Sequence, residues 1–213
     1  MATNKNQHFV PRVHLKAFAT AESSDAIHLY NIDRDKVVLN AALKHQCSGD
    51  YFYGRDQVLD DAIQTVEREY GRVVRGLLMP HPSLSEEDNV SLVIFWHLQY
   101  LRTEAASRRS VEMLDRLRTV VGIDQQTYRM DIKEAVQVAM RTFAQSMHQM
   151  TDLKGCLLRN ETQVPFVTSD DPAVFVNRWL TQIRPPIGRS FGLKSAGAIA
   201  VLPLSPQLAY LAF

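Results

Sequence analysis

The sequence predicts an α+β fold in which a mixed or antiparallel sheet, formed from both chain ends, packs on a central layer of three to four long helices. Strand-like runs lie in 27–43, 156–168 and 198–213. Between these ends, residues 56–150 carry apolar side chains at helical spacing. Because the faces of long helices need a sheet to cover them, one domain over residues 1–213 is expected.

Composition is that of an ordinary globular protein. The chain has 213 residues, 46% hydrophobic and 22% charged, with a net charge of +1. No apolar signal core follows Met1 and no run approaches the length of a membrane span. We therefore expect a cytoplasmic protein with no membrane partner. Cys47 and Cys156 lie far apart, which favours free thiols over a disulfide or a zinc site.

The first third of the chain predicts a short extended segment, a helix and a hairpin. Pro11 suits the first turn of a helix, so His8 precedes that helix in an extended segment. His8 is interpreted either as a hydrogen-bonded structural group or as a group that titrates near neutrality. The alternating residues 27–43, with turn residues at 33–36, predict a β-hairpin.

Long helices follow. The first is predicted from about residue 56 to 78, and the second begins at Ser85 with a capping box. From Val90 to Leu101 the second helix is apolar nearly all round, which predicts that its neighbours bury it. Its pattern extends toward Val120, and a further helix is predicted from about 125 to 150.

Three polar residues share one side of the second helix. Gln99, Arg102 and Thr103 are three and four residues apart. A buried arginine needs an anionic partner, and we expect Asp170 or Asp171 to supply it. One interpretation is an ion pair that ties this helix to a strand. The other is an anion clamp, with Gln99 and Thr103 as further hydrogen-bonding groups.

The two acids follow a predicted strand at Val164–Thr168. Ser169, Asp170, Asp171 and Pro172 together predict a turn or a helix start, in which the side chains cap the backbone. In the alternative interpretation, Asp170 or Asp171 is a ligand or an acid–base group in a functional loop.

The C-terminal segment is basic. From Pro172 to Phe213 there is no acidic residue, which leaves residues 1–171 with a net charge of −3. The basic residues are Arg178, Arg184, Arg189 and Lys194, the last three in a long loop rich in turn formers. Such a segment can dock internally or contact an anionic ligand or nucleic acid. The candidate substrate-binding residues are Thr103, Asp171, Arg184 and Arg189.

Several motifs in order resemble one family. They are Gln7-His-Phe-Val-Pro11, Tyr51-Phe-Tyr53, Gln99 with Arg102-Thr103, Phe166-Val-Thr-Ser-Asp-Asp-Pro172 and Leu202-Pro-Leu-Ser-Pro206. Together they resemble domain-of-unknown-function family 4238. The resemblance implies a bacterial-type α+β domain without an established activity. Members usually carry Asn at the position of Asp171, which favours Asp170 for any shared role. They also usually continue past the last motif, so a C-terminal portion is expected to be missing.

Two function classes stay open. The first is a hydrolase, such as a nuclease or another phosphoester-acting enzyme. In it His8 and Asp170 are acid–base groups or ligands of a divalent metal, and Arg102 stabilises negative charge beside Gln99. The second is a non-catalytic binding domain in which the same residues form a structural network. Both predict that His8, Gln99, Arg102 and Asp170 come together. The sequence specifies neither the substrate nor the oligomeric state.

Overall fold

The computed structural model describes residues 5–121, 130–180 and 191–213, and these form five α-helices and three antiparallel sheets. The predicted α+β class is confirmed, and both ends of the chain contribute sheets. No helix in the described ranges combines the length and the apolar character needed to cross a bilayer.

The N-terminal part contains two small sheets. Strands β1 (Asn6–His8) and β4 (Ser48–Asp50) form one of them, and β2 (Ala26–Asn31) pairs with β3 (Lys36–Ala42) as the predicted hairpin. A five-residue helix, α1 (Arg12–Lys16), begins directly after Pro11 as predicted.

The long helices begin at side-chain caps. Their bounds are α2 (Gln57–Leu77), α3 (Glu86–Arg102), α4 (Glu104–Val121) and α5 (Ile132–Ser146). The Asp56 carboxylate accepts from the Val58 amide at 2.9 Å before α2, and the Ser85 hydroxyl accepts from the Asp88 amide at 3.1 Å before α3. Both starts agree with the sequence prediction.

The second helix does not run on unbroken toward Val120. Thr103 adopts an extended conformation (ψ 160°) and separates α3 from α4. Its hydroxyl accepts from the Ala106 amide at 3.0 Å, as an N-terminal cap does. The interruption places Arg102 at the last position of α3.

The C-terminal sheet has four antiparallel strands in the order β5 (Gly155–Arg159), β8 (Leu208–Ala212), β7 (Ala198–Ser205) and β6 (Val174–Asn177). The predicted strand at Val164–Thr168 is wrong. That segment has no regular secondary structure and joins no ladder. The Phe166 amide donates to the Pro206 carbonyl at 2.9 Å, and Asn160 Nδ2 donates to the Val164 carbonyl at 2.6 Å.

The expectation that strands from both ends share one sheet is also wrong, since they form separate sheets within the described ranges. The reason lies in α3. Leu92, Phe95 and Trp96 belong to the core that covers the C-terminal sheet, whereas Leu98 belongs to a second core with Phe9 and the N-terminal segments. A helix that is apolar nearly all round covers a sheet on either side. The prediction that its neighbours bury this helix is confirmed.

Candidate functional site

Arg102 is fully buried at the end of α3, and each of its three guanidinium nitrogens donates a hydrogen bond. Its Nε and Nη2 donate to Gln99 Oε1 at 3.1 and 2.9 Å. Its Nη1 donates to Glu67 Oε1 at 2.6 Å and forms an ion pair with that carboxylate. The acidic partner is therefore Glu67 of α2, and the expectation that Asp170 or Asp171 would pair with Arg102 is wrong.

The same network holds the N-terminal segment. Gln99 Nε2 donates to the Phe9 carbonyl at 2.7 Å, and the Tyr53 hydroxyl donates to the His8 carbonyl at 3.0 Å. Burial disfavours the charged guanidinium of Arg102, but Tyr53 and Glu67 outweigh this effect and hold the pKa of Arg102 above its ordinary value. A charge stabilised in this way ties α2, α3 and the N-terminal segment together.

Asp170 and Asp171 are adjacent in sequence but have different surroundings. The Thr103 hydroxyl donates to Asp171 Oδ1 at 2.6 Å, and Arg109 forms an ion pair with Asp171 Oδ2. Asp171 therefore fastens its loop to the start of α4. The Asp170 side chain is exposed and has no hydrogen bond or ion pair to a described residue. The contacts of Asp171 fit the structural interpretation, whereas the Asp170 carboxylate remains available to a ligand.

The histidine that contacts the segment before the two acids is His14, not His8. His14 is fully buried in α1, with Nδ1 2.7 Å from the Tyr70 hydroxyl and Nε2 2.9 Å from Thr168 Oγ1. Burial, reinforced by the positive charge of Arg102, lowers the pKa of His14 to about 3. The helical spacing places His14 close to the apolar face that includes Phe18, which is a signal of burial, but it does not identify the partners of the imidazole.

Acid is expected to destabilise the fold through His14. Its pKa of about 3 in the folded protein lies below the ordinary value of 6.5, so the unfolded chain binds the proton more tightly and stability falls as the pH drops from 6.5 toward 3. The slope is about 1.4 kcal/mol per pH unit. Urea unfolding at several pH values should give a shallower acid slope for His14→Gln than for wild type. Parallel curves would contradict this assignment.

A cavity of about 460 Å³ opens between β1, α1 and α2. Its charged lining residues are Arg12, Asp60, Glu67, Arg68 and Arg75, and they are joined by Gln7, His8, Tyr53 and Gln64. Asp60, Gln64, Glu67, Arg68 and Arg75 recur at helical spacing, which explains why they share one face of α2. The apolar spacing of α2 predicts only its buried face, so this polar face was not predicted.

His8 lines this cavity. Its Nε2 is buried without a hydrogen-bond partner among the described residues. Burial and the nearby Arg12 lower the pKa of His8, against smaller opposing effects of Glu67 and of the backbone of Leu43 and Lys44. A neutral imidazole with an unused nitrogen can donate to or accept from a ligand.

The predicted cluster is therefore assembled only in part. Gln99 and Arg102 are in direct contact, and His8 reaches them through its backbone and Tyr53. Asp170 makes no described contact with any of them. Arg184 and Arg189 lie outside the described residues. In the described ranges, no three His, Cys, Asp or Glu side chains are grouped to hold a metal ion.

Comparison with known proteins gives the family. Neither a curated protein nor a solved structure matches the chain. The family described as "Protein of unknown function (DUF4238)" matches residues 6–213, which include the N-terminal segment, the Arg102 network and the C-terminal sheet. The chain therefore belongs to the DUF4238 family.

Proposed function

We propose that this chain binds a small ligand through an anionic group, of which phosphate is the simplest, in the cavity between β1, α1 and α2. One observation carries the proposal. Arg68 and Arg75 line the cavity, and neither has an acidic partner among the described residues. Arg12 lines the same wall and pairs with Asp25 at the long distance of 3.4 Å. Several arginines around one concavity concentrate positive potential there and offer paired donors to an oxyanion.

The packing around Gly71 supports this proposal. A Cβ built on Gly71 would lie 3.0 Å from Val13 Cγ2 and 3.3 Å from Arg75 Nη1. The absent side chain therefore lets α1 approach α2 closely and lets the Arg75 guanidinium lie back along the helix. Since Gly71 and Val13 also line the cavity, this guanidinium belongs to the wall.

The Arg102 network favours binding over catalysis. Arg102 is buried and committed to Glu67 and Gln99, so an incoming anion would have to displace an existing ion pair. The suggested acid–base partners, His8 and Asp170, have no described contact with each other. These groups fit a scaffold better than reacting groups.

A phosphoester hydrolase is the second candidate, and His8 is the observation that favours it. The unpartnered Nε2 of His8 beside a cavity with arginines is what an acid–base group would need. Colorimetric assays with a nitrophenyl phosphate monoester and diester, with and without Mg²⁺ or Mn²⁺, test this candidate. Turnover that disappears in His8→Ala would support the hydrolase. We also propose that the protein is bacterial and cytoplasmic.

Calorimetric titration with inorganic phosphate tests the binding function. We expect wild type to bind and the double variant Arg68→Ala/Arg75→Ala to bind at least about tenfold more weakly, because hydrogen bonds to charged groups contribute about 1.5–3 kcal/mol each. Arg141→Ala is the matched control, since Arg141 is an exposed arginine on α5 away from the cavity. Equal affinities in wild type and the double variant would overturn the proposal. Binding of oligonucleotides alone would point instead to the basic C-terminal segment.

A further inference from the structure

We infer that the ligand of this cavity is a phosphorylated polyhydroxyl compound of the sugar phosphate class, held by its phosphate at the arginines in the C-terminal half of α2 and by its hydroxyls at the carboxylates in its N-terminal half. This inference rests on the proposed anion-binding function. It adds the chemistry of the rest of the ligand.

The first support is the order of charges along α2. Asp60 and Glu67 line the half of the cavity nearer the start of the helix, and Arg68 and Arg75 line the half nearer its end. Asp60 and Arg68 are eight residues apart, as are Glu67 and Arg75, which corresponds to about 12 Å of helical rise. Glu67 and Arg68 are consecutive at the middle of this wall, with Asp60 toward the start of α2 and Arg75 toward its end. The wall therefore offers acceptors in the N-terminal half of α2 and cationic donors in its C-terminal half.

The second support is unused acceptor capacity. Glu67 accepts from Arg102 through Oε1, and its Oε2 has no hydrogen bond to a described residue. Asp60 is buried and accepts from Gln64 at 2.9 Å and from Gln7 at 3.5 Å, the second being a weak contact. Each carboxylate can accept about four hydrogen bonds, so both have room for further donors.

The net charge of the cavity favours hydroxyls over amines as the ligand groups that meet the carboxylates. Arg102 already neutralises Glu67, which leaves the single charge of Asp60 on the acidic side. Arg68 and Arg75 outweigh it, so the cavity as a whole is positive. A cationic amine would meet this positive potential, and a ligand that is anionic throughout would meet the two carboxylates. Neutral hydroxyls donate to carboxylates without either penalty, in the way that an acidic residue holds ribose hydroxyls in dinucleotide sites. An anion with a hydroxyl-bearing body is the combination that suits both ends.

The experiment compares two ligands with the same anionic head. Methyl phosphate carries no hydroxyl-bearing body, whereas ribose 5-phosphate does. Calorimetric titration of wild type should give at least about tenfold tighter binding of ribose 5-phosphate, equivalent to about 1.4 kcal/mol. Asp60→Asn should reduce this difference without weakening the binding of methyl phosphate, because it removes an acceptor and a negative charge and leaves the arginines in place. Circular dichroism on each variant confirms that it is folded.

The outcomes separate the two proposals. Equal affinities of wild type for the two ligands would overturn the inference and leave the anion-binding function intact. Binding of neither ligand would overturn both. Should Asp60→Asn fail to fold, the Gln64→Ala variant takes its place, since Gln64 is an exposed cavity residue that donates to Asp60. Its loss frees the Asp60 carboxylate from that hydrogen bond and should change the ligand difference. A ligand difference that neither variant changes would place the hydroxyls elsewhere and overturn the assignment.

Discussion

Replacing Arg102 with alanine is expected to lower the free energy of unfolding by about 3–5 kcal/mol, the usual cost of removing one partner of a buried ion pair. The guanidinium is fully buried and makes three hydrogen bonds to Gln99 and Glu67. Its loss leaves Gln99 Oε1 without a hydrogen-bond donor and the Glu67 carboxylate without its counterion. It also leaves a cavity at the end of α3, which adds to the cost.

Urea unfolding of wild type and variant measures this effect. Arg108→Ala is the matched control, because Arg108 forms an exposed ion pair with Glu104 and its loss should cost less than about 1 kcal/mol. Glu67→Gln completes a double-mutant cycle with Arg102→Ala, in which the coupling should be clearly non-zero. Since the charge of Arg102 helps to depress the pKa of His14, Arg102→Ala should also weaken the acid sensitivity. A loss equal to that of Arg108→Ala would show that the network is not structural.

Local sequence signals predicted the helices well. The starts of α2 and α3 follow from Asp56 and Ser85, because a cap acts within three residues of itself. The hairpin of β2 and β3 likewise follows from alternation and turn residues. The break at Thr103 was missed because threonine is tolerated inside helices and caps them equally well.

Long-range partners were harder to predict. The all-round apolar pattern of α3 correctly implied that Arg102 is buried and paired. It could not identify the acid, since Glu67 lies 35 residues away on a helix that appears ordinary in sequence. Similarly, His8 precedes the first helix and His14 lies within it, and only the three-dimensional packing determines that His14 contacts Thr168. The cavity depends on the approach of α1 to α2, which periodicity does not encode.

Replacing Gly155 with alanine is expected to destabilise the protein by about 3 kcal/mol, at the upper end of what overpacking a core costs. A Cβ at this position in β5 would lie 1.8 Å from Asn89 Oδ1 and 2.8 Å from the Tyr210 hydroxyl oxygen. The Tyr210 hydroxyl donates to Asn89 Oδ1 at 2.6 Å, and Asn89 Nδ2 donates to the Leu153 carbonyl at 2.8 Å. The methyl group therefore has to displace a side chain that joins α3 to the C-terminal sheet, and partly buried hydrogen bonds are lost with it.

Thermal and urea unfolding of Gly155→Ala should show this loss, with Gly76→Ala as the matched control. A Cβ at Gly76 in the last turn of α2 would meet no atom within 4 Å, so that variant should be unchanged or more stable by up to about 1 kcal/mol through helix propensity. Adding Asn89→Ala to Gly155→Ala removes the atom nearest to the new methyl group. It should recover part of the loss, although the bond to Leu153 is not restored. If Gly155→Ala unfolds like wild type, β5 must approach α3 less closely than these distances require.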